Sequence, residues 1–249
     1  MWQDVSELRQ FYASRLGQMS ARLIRRRLRG LWPDVSGQRV LGFGYGTPYL
    51  RPFLDQAERV IALMPDLQGV SHWPRGEPGL VALCGEESLP LGDNSIDRAV
   101  LVHALEASEQ LRRLLRELWR VLASGGRMMV VVPNRRGVWA RLERTPFGHG
   151  HPYSQPQLDH LLRDNMFVPI RSEYALYMPP SRTRMALRLA VAWERVGARW
   201  AAPFGGVVIT EAEKQVYAGS PLRIARRAPR QVAVPAGTMP APRRLSRAG

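Results

Sequence analysis

Two groups of residues have types and spacing that could do chemistry. RTPFGHGHPYS, Arg144 to Ser154, brings His149, His151 and Tyr153 together, and His103 closes the apolar run DRAVLVHAL. Each of these side chains can take or hold a proton, the work of a general base. Each also has an ordinary structural role open to it, holding a loop by hydrogen bonds or packing at a strand end. His149 and His151 form an HxH pair, but with no third ligand in range and no cysteine partner the sequence points to no metal. The second group is VLGFGYGTPYL, Val40 to Leu50, where Gly42, Gly44 and Gly46 follow an apolar segment. Glycines there let the backbone approach a ligand, with Thr47 as the cap and Pro48 at the first position of the next helix. A tight strand-to-helix turn without a ligand gives the same pattern.

The elements that must position these residues alternate. RVLGFG (Arg39 to Gly44), RVIALMP (Arg59 to Pro65), GLVALCG (Gly79 to Gly85), DRAVLVHAL (Asp97 to Leu105) and GRMMVVVPN (Gly126 to Asn134) have the length and apolar content of buried strands. Between the last two, Leu111, Leu114, Leu115, Leu118 and Val121 form one face of a helix that Gly125 and Gly126 would stop. Strands alternating with helices predict a parallel sheet covered on both faces. Further on, the pattern predicts a helix near Gln155 to Arg163, a strand in MFVPIRSEYALYM, a helix near Thr183 to Trp200 with Trp193 and Trp200 in the core, and a last strand in GGVVITEAEKQVY.

The order of these segments resembles the class I S-adenosylmethionine-dependent methyltransferases, over roughly Val35 to Tyr217. The motifs are VLGFGYGTPYL, VIALMP about 20 residues on, LCGEESLPLGDNSIDRAVLVHALE and LLRELWRVLASGGRMMVVVPN. The resemblance implies a Rossmann-like, doubly wound α/β fold, a mostly parallel seven-stranded sheet with an antiparallel last strand. It also implies S-adenosylmethionine as cofactor and in-line methyl transfer to a small-molecule or lipid-like acceptor. The cofactor would lie against Gly42, Gly44, Tyr45, Gly46, Met64, Glu86, Glu87 and His103, with the Tyr45 ring able to face the sulfonium, and His103, His149, His151 and Tyr153 would serve the acceptor. Gly42, Met64 and Gly85 stand where the family usually has acids that hold the cofactor. Their absence implies weak or lost cofactor binding, and equally fits a relative that keeps the fold as a non-catalytic interaction protein.

The net charge of +15 is concentrated at the two ends. Met1 to Gly30 has seven arginines against Asp4 and Glu7, and Gly219 to Gly249 has seven arginines and no acid. Residues 1–34 read as a basic helical segment, with a helix over Gln10 to Trp32, residues 35–218 as the methyltransferase-like domain, and residues 219–249 as a disordered basic tail. Such ends suit an acidic partner, RNA or a membrane surface, and leave an RNA-binding or RNA-modifying protein as a further reading. The single cysteine, Cys84, the absence of a signal-peptide pattern at the N-terminus and the lack of a run long enough to span a bilayer predict a cytoplasmic protein.

Overall fold

The structure, a computed structural model, describes residues 2–181 and 183–216. The expected tail lies outside these residues. Helices α1 (Val5–Ala13) and α2 (Arg15–Leu31) precede a seven-stranded sheet of β1 (Arg39–Gly44), β2 (Arg59–Pro65), β3 (Val81–Cys84), β4 (Ile96–Val102), β5 (Leu122–Pro133), β6 (Phe167–Ala175) and β7 (Val207–Lys214). The short helix α3 (Thr47–Leu50) follows β1, α4 (Leu111–Val121) joins β4 to β5, and α5 (Gln155–Asp164) precedes β6. Helices α6 (Arg184–Arg188) and α7 (Ala190–Trp200) link β6 to β7.

The strand order is β3-β2-β1-β4-β5-β7-β6, parallel except for β7, which runs antiparallel to both neighbours. This is the expected doubly wound α/β sheet with its antiparallel last strand. Two apolar layers cover it. One packs α4 and α5 through Leu114, Leu118, Leu158 and Leu162, and the other packs α2 through Leu16, Ile24 and Leu28. At the end of α2, the Trp32 indole N–H donates to Glu211 on β7, a buried carboxylate that Arg171 also meets at 2.7 Å.

Several local expectations are corrected. The helix over Gln10 to Trp32 is two helices, because Ser14 is extended and its hydroxyl accepts from Gly17 N–H. Helix α4 stops at Val121 rather than at Gly125, because Leu122 already pairs with Ile96 in the sheet. Strand β4 ends at Val102, since His103 takes a left-handed φ of 52°. Thr47 lies inside α3, with Gly46 at the cap position. Trp193 and Trp200 are not core: they are 46% and 79% exposed. The reason is Gly197, where a Cβ would come within 2.3 Å of the Tyr177 ring. The narrow side of α7 must face inward, and Glu194 on that side accepts from Tyr177 N–H.

Candidate active site

In an open α/β sheet, ligands bind beyond the carboxyl ends of the strands where the order reverses, here between β1 and β4. Gly44 turns the chain out of β1 with φ 79°, and a Cβ on it would lie 2.4 Å from the Val102 carbonyl oxygen. The turn brings Tyr45 N–H onto that same carbonyl. Beside it, the left-handed His103 carries its buried imidazole back across the strand ends. His103 Nε2 lies 2.7 Å from the Tyr12 hydroxyl, and Nδ1 lies 3.4 Å from Glu106 Oε1. Tyr12 belongs to α1, and its hydroxyl also meets that of Tyr49 at 2.7 Å.

The rest of α1 and the residues before it complete the covering. Leu8, Tyr45 and Met64 form a small buried cluster, and the Tyr12 ring stacks on Tyr45 at 5.4 Å. The Trp2 indole packs edge-on against Phe43 and donates its N–H to Glu86. Glu86 is buried and also accepts from the Ser108 hydroxyl and from Gln110 N–H. Val5 N–H donates to the Gln68 carbonyl just after β2. Burial holds the Tyr12 phenol well above its usual range, with the neighbouring Tyr49 adding to the effect, and burial likewise raises Tyr49 and Tyr45. All three are neutral hydroxyls near neutral pH.

Under this cover sit polar atoms without hydrogen-bond partners. Both amide atoms of Gln68, a residue 1% exposed, make none, and Glu106 Oε1 has no hydrogen bond beyond its 3.4 Å approach to His103 Nδ1. They border a crevice of about 10 Å³ together with Leu8, His103 and His149. A larger groove, about 690 Å³, runs along the outer side of α1 between Glu7, Phe11 and Arg15 and the loop Glu143 to His149.

Residues 41–130 match the protein family described as Methyltransferase domain. A demethylmenaquinone methyltransferase from Renibacterium salmoninarum is 32% identical over 98 residues, 39% of this chain and 41% of the relative. The chain thus spans about two fifths of the length of the curated relative it matches. Among solved structures, a possible histamine N-methyltransferase from Thermotoga maritima superposes with a TM-score of 0.60 at 19% identity, covering 85% of this chain and 96% of that one. A didemethyltoxoflavin N-methyltransferase from Burkholderia thailandensis, solved with S-adenosylhomocysteine, gives 0.50 at 18% identity, covering 81% of this chain and 78% of the other. The chain is built on the class I methyltransferase fold. The cofactor this methyltransferase fold implies is S-adenosylmethionine.

The residues present do not fit that cofactor in the arrangement described. Trp2, Leu8 and Tyr12 lie along the strand ends of β1, β2 and β4, where the resemblance places it. The glycine loop offers no open cradle at Gly42 either, because a Cβ there would lie 2.4 Å from Leu50 Cδ1. Glu86 bonds Trp2, and Glu87 is exposed and paired with Arg113. Of the acceptor-side residues, only His103 sits with the loop glycines, Tyr45 and Met64. His149 borders the crevice but bonds the Glu143 carbonyl at 2.7 Å. His151 is exposed with its ring against Tyr153, and Tyr153 is buried, its phenol pushed up to about 12 by burial and then by Glu106. Among the described residues no group of three side chains could hold a metal ion, and no helix is long and apolar enough to cross a membrane.

Sequence reasoning missed Trp2, Tyr12, Gln68 and Glu106. Glu106 had a legible signal, lying three residues after His103 in HALE. Tyr12 lies in a segment whose pattern is dominated by its arginines.

Proposed function

We propose that the chain is an S-adenosylmethionine-dependent methyltransferase for a small-molecule or lipid-like acceptor, with Trp2 to Ala13 as a displaceable cover over the cofactor cleft. The observation that carries this reading is His103, whose Nε2 meets a hydroxyl while Nδ1 faces Glu106. The Tyr12 hydroxyl stands where an acceptor's O–H or N–H would be held, and Glu106 would orient the ring so that Nε2 takes that proton. The unpartnered Gln68 amide supports a polar ligand beneath the cover. A buried polar group left unpaired costs about 1–3 kcal/mol, so a purely apolar plug is a poor final occupant of this cleft. The filled cleft and the missing acids favour one second reading, a non-catalytic relative in which the cover is permanent.

Calorimetric titration with S-adenosylmethionine and its demethylated product separates the two. The full chain is expected to bind weakly, in the tens of micromolar or poorer. Tyr12→Ala, which loosens the cover, is expected to bind about tenfold tighter, because less free energy is spent on opening. No binding by either protein at millimolar ligand establishes the permanent cover.

A further inference from the structure

Helices α6 and α7 carry a surface that the methyl-transfer reading does not use. Leu189 joins them in helical conformation, with its N–H bonded to the Met185 carbonyl and its own carbonyl accepting from Trp193. Along this helical run Met185, Leu189, Trp193, Val196 and Trp200 recur at spacings of three and four residues, which places them on one stripe. All five are exposed, as is Phe204 just beyond, while Ala190, Glu194 and Gly197 form the buried seam. No other described helix shows so continuous an exposed apolar stripe.

Arginines line one side of it. Arg184, Arg188, Arg195 and Arg199 are exposed and make no ion pair with any described residue. Arg195 and Arg199 also line a groove of about 570 Å³ with Arg26 and Arg27 of α2. Of the two acids there, Glu173 lies 3.6 Å from Arg27, and Glu194 is buried and already bonded to Tyr177 N–H. The groove therefore presents a net positive rim directly beside the apolar stripe.

We propose that α6–α7 is an interfacial helix that docks this protein on an anionic lipid surface, with the tryptophan stripe in the headgroup–acyl boundary and the arginine rows on lipid phosphates. The chemistry of the two faces selects this occupant. Arginines alone would suit any polyanion, RNA included, but exposed methionine, leucine and valine gain nothing from RNA phosphates and gain burial in lipid. Tryptophan, with an apolar body and an N–H edge, is the side chain suited to that boundary. A second copy of the chain, paired through the same stripe, would bring like-charged arginine rows together. The inference stands on this face alone, whether or not the cleft transfers methyl groups.

The test is co-sedimentation of the full chain with vesicles of phosphatidylcholine alone and of phosphatidylcholine containing about one third phosphatidylglycerol, the anionic fraction that gives arginines their attraction. Binding to the anionic vesicles is expected to be at least about tenfold tighter, to weaken with salt and to shift tryptophan emission to the blue. Trp193→Ser with Trp200→Ser, both outside the core, is expected to weaken it about tenfold or more, and Arg195→Gln with Arg199→Gln to remove about tenfold of the anionic preference. Met185→Gln with Leu189→Gln provides an independent disruption of the stripe, and thermal melts check that each variant folds. Full-strength vesicle binding by both stripe variants overturns the proposal, since charge elsewhere would then carry it. So does the absence of vesicle binding, including the case in which the arginine variant instead loses affinity for a homopolymeric RNA.

Discussion

Gly44 and Gly46 look equivalent in GFGYG, yet they do different work. Gly44 has φ 79° and faces the Val102 carbonyl, whereas Gly46 has φ −79° and an ordinary contact distance of 3.4 Å to Gly42. Gly44→Ala should cost about 2–4 kcal/mol, from left-handed strain plus backbone overlap, and lower the melting point by roughly 5–15 °C. Gly46→Ala should stay within about 0.5 kcal/mol of the parent. Thermal denaturation of the pair checks this, and equal losses would mean that the turn is not the one described. Gly42 was legible as the position of a missing acid, but not as a position closed by Leu50, because the sequence does not say which side chain moves into the space an acid leaves.

The N-terminal cover shows most clearly what sequence patterning leaves open. Arginine and leucine spacing in residues 10–32 gave the helical period correctly but not the break, because Ser14 suits either an exposed helical position or a cap, and the tertiary docking of α1 chooses the cap. Similar ambiguity governed α7: its tryptophans recur at core-like spacing, and only the close approach at Gly197 reveals which side is inward. The sheet order and the antiparallel last strand were legible because buried strands are continuous apolar runs whose connections admit few topologies.

The cover also has a pH signature. Burial favours the neutral phenols of Tyr12 and Tyr49, so their folded pKa values lie above the ordinary 10.0 of an exposed tyrosine. The unfolded chain then binds fewer protons than the native state above pH 10, and stability falls as pH rises past that point. The contribution is fully present below pH 10. Denaturant unfolding across this range, with phenolate absorbance followed in parallel, should show a steeper alkaline loss for the parent than for Tyr12→Phe with Tyr49→Phe. Identical pH profiles would place these hydroxyls in water rather than under the cover.

At the scale of the whole molecule, residues 2–13 cover the strand ends at the β1–β4 switch point, where the proposed cleft lies. The two are compatible if the cover and the cofactor exclude one another. Hydrogen exchange of the full chain with and without saturating S-adenosylhomocysteine reads this competition directly, because α1 amides are protected only while the helix is seated. Ligand binding is expected to protect the strand ends after β1 and β4 while exchange in residues 4–13 becomes faster. Binding that leaves α1 as protected as before would contradict it, as would failure of both the full chain and Tyr12→Ala to bind at all.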